Sequence, residues 1–480
     1  MVTPNAILTP HSPVLASAAT KELKDDAPDA IELGAPVQRR ENTSIFSRWQ
    51  KRWISLITSF AAMFSTLSTF VYLPALTPIS RDLSVSITLM NLTVTSYLVV
   101  AGIAPAFIGD IADQSGRKPV YILVFLLMLA ANLGMANLTK WSVLLVLRMI
   151  LSAGASGTVS VAYGVVADIT TAGERGSFIG TIFLFTTMAP SLGPVLGGIL
   201  AEKLCWRWIF WFLSILTGGT LVILALLLPE TQRKIVGDGS LPARGIYWSV
   251  VSPKASRSTR QSQGDAEPRE KRGCRFPNPL TCLPVLMDKG SLFSILIGAL
   301  QYVNVMTLQT SLASLSIEVY NLNYLQAGLI YIPCGVCSAV SAKVTGVEDA
   351  RSVGDIEGFP LEHTRLEGAY LLTIICTLTT VGYGLIVEFK TSILLPANLV
   401  PQMTATLITD YNTHRSATAQ AASNLIRCMG AGAGTASFEP LIRAIGSGWA
   451  FAIYAILVLL QVPLIWGLKR NGMAWRSRNK

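Results

Sequence analysis

Charge is what this 480-residue sequence has least of: 14% of its residues are Asp, Glu, Lys or Arg, against about 25% in a soluble domain. Mean hydropathy is +0.50. Together these exclude a soluble globular protein and imply an all-α, polytopic membrane protein. Histidine is nearly absent, with three in the chain and none in an apolar run. No metal, nucleophile or phosphate motif accompanies them, so no enzyme chemistry, metal or bound cofactor is expected. Of the seven cysteines, Cys334 and Cys337 have C-x-x-C spacing, but they sit in a hydrophobic run without βαβ context and read as membrane-core packing. Acids are scarcer than bases, 28 against 38, giving a net charge of +10. The bases collect in segments between and beside apolar runs, which is the positive-inside pattern and not a nucleic-acid footprint. A signal peptide is also missing: residues 1–50 are polar and Pro/Ala/Ser-rich, and are expected to be a disordered cytosolic tail.

What is abundant is apolar length. A bilayer core takes about 20 apolar residues per helix, and twelve runs qualify: 54–76, 87–108, 119–137, 141–165, 177–201, 208–228, 291–313, 324–345, 368–387, 392–408, 417–443 and 449–468. The basic, Ser/Pro/Gly-rich stretch 230–290 separates two sets of six. The expected organisation is a tail (1–50), a six-helix bundle (51–229), a cytosolic linker (230–290), a second six-helix bundle (291–468) and a cytosolic tail (469–480). With alternating spans, the basic segments share one side, so both termini are expected in the cytosol. The sequon at Asn137 falls in an outer loop too short for modification. Those at Asn42 and Asn91 fall inside the cell and within a span. Run 392–408 is the weakest, with two prolines and an asparagine.

Between runs 2 and 3 lies "GDIADQSGRK", with Gly109, Asp113, Gly116, Arg117 and Lys118. Gly109 permits close helix approach, Gly116 a tight turn, and Asp113 with Arg117 a charge pair at the membrane surface. A positive-inside loop with a turn glycine explains the same residues equally well. Run 5 carries "APSLGPVLGGIL", whose Gly193, Gly197 and Gly198 allow close packing and whose Pro194 softens the helix. Run 4 carries Arg148, several residues from either end. An arginine at mid-membrane costs about 2.5–3.5 kcal/mol on insertion scales and is expected to face a cavity or a partner, with snorkelling as the bland alternative. The runs hold almost no acid. Glu439 is the exception, and Arg443 four residues on suggests a helical ion pair.

With these motifs, and with "WRWIFWFL", "LPETQRKIVGDGS", "VVADITTAGERGSFIG" and "NYLQAGLIYIPCGV", residues 52–470 resemble the major facilitator superfamily. Within it they resemble the fungal twelve-span drug:proton antiporters of the quinidine-resistance and organic-acid exporter group. The resemblance implies two pseudo-symmetric six-helix bundles that rock around a central site. It makes Asp113, Arg117 and Asp168 a cytosolic latch between the halves, and it assigns Arg148 to proton coupling. It implies a plasma-membrane exporter of drugs, toxins or secondary metabolites, driven by the proton gradient, without cofactor or nucleic-acid partner, working in the bilayer as a monomer. Candidate cavity residues are Tyr97, Gln301, Asn304 and Arg427, although core packing accounts for the uncharged ones as well. Two alternatives remain: a dedicated exporter of a carboxylate such as citrate, and a non-transporting relic or sensor. The relic reading rests on Ala101 and Leu151 where the group carries glutamine, and on the short run 10.

Overall fold

The structure, a computed structural model, describes residues 46–170, 175–236, 245–250, 284–333, 366, 368–390 and 416–478. Every regular element among them is helical: α1 (Arg48–Phe70), α2 (Leu76–Asp82), α3 (Ile87–Ser115), α4 (Arg117–Ala136), α5 (Trp141–Ile169), α6 (Arg175–Lys203), α7 (Arg207–Leu227), α8 (Arg233–Val236), α9 (Lys289–Tyr320), α10 (Tyr324–Leu329), α11 (Ala369–Glu388), α12 (Ser416–Ile445), α13 (Ser447–Leu459) and α14 (Gln461–Arg478). Nine stretches of the described residues are long and apolar enough to cross a membrane. α12 is longer than several of them, but its Gly, Ala and Ser make it less apolar. Eleven of the twelve expected runs meet one of these helices. Run 10 lies outside the described residues, as do residues 334–345 of run 8 with Cys334 and Cys337.

Helix starts and breaks follow local chemistry. Ser47 caps α1 in a reciprocal box with Gln50, Ser86 caps α3, Asp288 caps α9, and Asn323 with Gln326 caps α10. Run 1 is broken where one span was expected. Pro74 has no N–H to donate, and a 3₁₀ turn over Leu73–Ala75 separates α1 from α2. Pro463 likewise cannot donate back to Leu459, where α13 gives way to α14. Several helices also outrun their apolar stretches. α3 continues through the polar "GDIADQS" to Ser115, so the expected loop between runs 2 and 3 reduces to one residue, Gly116. Helix α14 continues to Arg478 through what was expected to be a tail. The expected linker is folded at its start: Glu230, Thr231 and Gln232 are buried, and Val250 N donates to Leu226 O at 3.0 Å.

The helices sort into two groups. In the first, α1 packs on α5 and α6, α3 on α5, and α4 on α5 and α7; in the second, α9 packs on α12 and α14, and α11 on α13. Between the groups the most extensive pairings are α3 with α12 and α6 with α10, and α9 also meets α2 and the turn over Leu73–Ala75. Large apolar side chains such as Leu126, Val146, Ile215, Leu378 and Ile456 face outward, the distribution a lipid solvent selects. Inside, hydroxyls turn back onto their own helices, as when Thr58 donates to Ile54 O at 2.9 Å and Ser156 to Ser152 O at 2.7 Å.

α6 lies so close to the end of α1 that a Cβ on Gly197 would stand 2.1 Å from Val71 O, whereas one on Gly180, on the same helix, would meet nothing within 4 Å. Gly197→Ala is therefore expected to destabilise the protein by about 3 kcal/mol through overpacking against backbone. Gly180→Ala is expected to be neutral or stabilising by up to about 1 kcal/mol through helix propensity. Melting temperatures in one detergent check this; equal melting of the two variants would contradict it.

Candidate functional site

Three helix ends and the segment after α7 meet around Arg117. Gly116 sits at φ +106°, a conformation open to glycine, and a Cβ there would stand 2.6 Å from Glu230 Oε2. The Glu230 carboxylate occupies the N-terminus of α4. It accepts from Arg117 N at 2.9 Å and Lys118 N at 3.1 Å, and from Thr231 N and Gln232 N at 3.0 Å. An anion is favoured there by the unpaired amides and the helix dipole. The Arg117 side chain leaves α4 over Gly164 of α5, where a Cβ would stand 2.6 Å from the guanidinium carbon. It pairs with Asp113 at 2.6 Å and Asp168 at 3.0 Å. Gln232 donates to Asp113 O, Tyr247 to Ser115 O at 3.0 Å, and the buried Lys118 to Trp248 O. The partners named here all precede residue 251, and Asp113 and Asp168 have further partners besides these. A Cβ on Gly109, one turn before Asp113, would meet nothing within 4 Å.

Arg148 is fully buried in α5. Its guanidinium lies between two rings, 4.0 Å from the Tyr72 centroid and 4.5 Å from that of Tyr97. Nη1 donates to Ser68 O at 3.0 Å. Both tyrosines are held in turn: the Tyr72 hydroxyl lies 2.9 Å from Thr93 Oγ1, and Tyr97 donates to Ser65 O at 3.1 Å. Among the described residues Nε and Nη2 have no hydrogen-bond partner. Each desolvated cation–π contact is worth about 2 kcal/mol, so two of them match the insertion cost without a counter-ion. The two orphan donors then remain as a net penalty of about 1–3 kcal/mol each.

The glycine motif of α6 faces two ways. Gly193 and Gly197 lie on Phe70 and Val71 at the end of α1, whereas a Cβ on Gly198 would stand 2.4 Å from Tyr324 O of α10. The seam is reciprocal, because a Cβ on Gly328 would stand 2.4 Å from Pro194 O. Glu202 Oε2 finishes it by accepting from Tyr324 N at 3.0 Å. On the other seam, Thr95 meets Thr435 at 3.2 Å and Asn424 Nδ2 donates to Ala101 O at 2.9 Å. These contacts use the halves of α3 and α6 that lie away from the Arg117 cluster.

The candidate cavity residues divide. Gln301 donates to Cys376 Sγ at 3.1 Å and accepts from Gln461 Nε2 at 3.0 Å. Asn304 donates to Thr380 Oγ1 at 3.0 Å. Both are buried and clamp α9 to α11 and α14. Amides in an apolar interior are driven to partners on neighbouring helices, and Asn304 Oδ1 remains without one among the described residues. Tyr97 stacks on Arg148. Arg427 alone stands in a seam, its guanidinium 4.5 Å from the Tyr302 centroid and Nη2 donating to Asn424 Oδ1 at 3.0 Å. Glu439 pairs with Arg443 at 3.1 Å, the spacing expected of an i,i+4 pair. Sequence reasoning missed Glu230, Gly164, Tyr72 and Asn424. Glu230 had a signal, an acid in the first polar segment after run 6; the others had none beyond their residue type.

The Major Facilitator Superfamily model matches residues 58–435. The MFS-type transporter phiD of a fungal species (strain ATCC 74256) is 36% identical, over 96% of this chain and 74% of that protein. Citrate exporter 1 of Aspergillus niger is 30% identical, over 94% of this chain and 91% of its own. Among solved structures, the human organic anion transporter MFSD10 (TETRAN) superposes with a TM-score of 0.54 at 18% identity, over 86% of this chain and 99% of that one.

Two stability outcomes are expected from this geometry. The Arg117 side chain is 10% exposed, Asp168 14% and Asp113 55%. Asp168→Asn should therefore cost about 2–3 kcal/mol, just under the cost of breaking a fully buried pair, and Asp113→Asn about 1 kcal/mol or less. Equal melting of the two variants would contradict the ranking. Arg148→Met removes two orphan donors and keeps the volume, so it should melt at or above the wild-type temperature; a clear drop would show that the guanidinium holds the core together.

Proposed function

Because the chain belongs to the Major Facilitator Superfamily, a family of transporters and not of enzymes, we propose that it exports small organic molecules by proton antiport with alternating access. The carrying observation is the pair of seams, α3 with α12 and α6 with α10. Each lets backbone approach backbone through small residues, so the two helix groups can pivot on them without breaking internal packing. Arg148 supports the coupling role. A sealed cation with spare donors can hold a proton-carrying partner or water, but arginine itself does not release a proton at physiological pH. Basic segments at both ends and beside the Arg117 cluster support cytosolic termini, the name of Citrate exporter 1 supports the outward direction, and the proposal includes a plasma-membrane location and a monomer.

A second reading, a dedicated carboxylate exporter, is favoured by the likeness to Citrate exporter 1 along nearly the whole chain.

The test is efflux from an efflux-deficient yeast, with a drug panel and labelled citrate, with and without a protonophore. Export that collapses with the protonophore is expected, and export indifferent to it would remove antiport. Arg148→Lys, at matched surface expression, should depress export of every substrate and flatten its dependence on external pH. A variant that exports like the wild type across pH would reduce Arg148 to a packing residue.

A further inference from the structure

The start of α1 sorts its side chains along one stripe. Arg48, Trp49, Arg52, Trp53 and Leu56 are all exposed. The last four recur at the three- and four-residue spacing that shares a helix face. Two cations and two indoles stand at the helix end, and leucine follows about one turn deeper. Trp49, Arg52, Trp53 and Leu56 line a groove of about 280 Å³ together with Phe178 and Thr181 of α6. The groove opens outward, with Trp49 69% exposed and Trp53 54%. Its inner side is anchored, because Phe178 packs on the buried cluster of Ala62, Ala162, Val166 and Ile182. The Thr181 hydroxyl is spent on Ser177 O at 3.3 Å.

The charge here is one-sided. α1 contains no acid, and α6 none before Glu202 near its far end. No described carboxylate pairs with Arg48 or Arg52. Glu174, just before α6 in sequence, lies outside the described residues. Cations thus stand at the level where tryptophan marks the membrane surface, and an apolar slot continues from them toward hydrocarbon depth.

We propose that this groove binds one anionic phospholipid, its phosphate on Arg52 and Arg48 and the upper part of one acyl chain along Trp53, Leu56 and Phe178. A guanidinium takes two phosphate oxygens at once. The indoles suit the depth between headgroup and chain, being apolar on the ring and polar at the N–H. The headgroup must lack a cation of its own, since choline would bring positive charge to two arginines that no described acid balances. A free phosphate would fill the charged end and leave the apolar length unused. Below the groove α1 and α6 stay in contact, from Phe60 with Phe185 to Val71 with Gly197, so the lipid wedges the open end of an otherwise closed pair.

The experiment is photolabelling of the purified full chain in phosphatidylcholine nanodiscs. A trace of phosphatidylserine, or of phosphatidylcholine, carries the same diazirine-bearing acyl chain, and labelled peptides are mapped by mass spectrometry. The phosphatidylserine probe should concentrate on the opening turns of α1 and α6, about fivefold or more above the phosphatidylcholine probe. The two probes should label the outward face of α7 alike. Arg52→Gln should lower phosphatidylserine labelling of the groove about fivefold and leave that of α7 unchanged. Thr181→Phe, which keeps every charge and occupies the groove, should lower it as well. Equal labelling of the groove by both probes in the wild type overturns the inference, as does an Arg52→Gln variant labelled like the wild type. Loss with Arg52→Gln but not with Thr181→Phe would mean lipid held by surface charge alone. Opening turns shielded from both probes would mean that protein fills the groove. Either result overturns the inference too, and none of these outcomes depends on what the chain transports.

Discussion

A lipid interior offers no hydrogen bonds, and the rest of this architecture follows from that constraint. Every backbone amide must be satisfied within its own helix, so the described elements are helices and nothing else. Hydroxyls along them donate to carbonyls one turn back, and amides such as Gln301 and Asn304 reach across to neighbouring helices. Lipid tails are as apolar as leucine, so apolar side chains cannot by themselves drive helices together. Association falls instead to close approach and to those few polar contacts. That is why glycines concentrate where α6 meets α1 and α10, and why the outward surfaces are Leu, Ile and Val without pattern.

The same constraint explains where the charges are. At the Arg117 cluster, two cations and three carboxylates sit where helices end, beside amides that the helices leave unpaired. Glu230 neutralises the start of α4 and fixes the sharp reversal at Gly116, while Arg117 ties α3 to α5. The result is a rigid corner of one helix group. A corner of this kind braces the start of α4 against α3 and α5, while the seams are made of backbone packing and single hydrogen bonds.

Much of this was legible in the sequence, because apolar length is a strong signal for membrane helices. Run boundaries failed where helices extend into polar residues. The apolar stretch ends near residue 108, but nothing in "GDIADQS" breaks a helix before Gly116, so α3 continues. Pro74 and Pro463 did signal breaks that run length hid. Site residues were less legible. Arg148 stood out because an arginine in an apolar helix carries a known cost. Its partners did not, since Tyr72 and Tyr97 are ordinary membrane residues until the fold stacks them. Gln301 and Asn304 were hard to read for the converse reason: an amide in a span has a partner somewhere, and sequence does not name Cys376, Gln461 and Thr380.

Arg148 and Arg427 show how one residue type occurs in two settings. The cost of placing a guanidinium in the membrane is similar for both, so what differs is how each is offset. For Arg148 two rings and one carbonyl supply most of the offset, and Nε and Nη2 remain without partners among the described residues. Arg427 is only partly buried, and one ring with hydrogen bonds to Asn424 and Cys428 offsets its charge. What separates the two arginines is therefore enclosure rather than residue type.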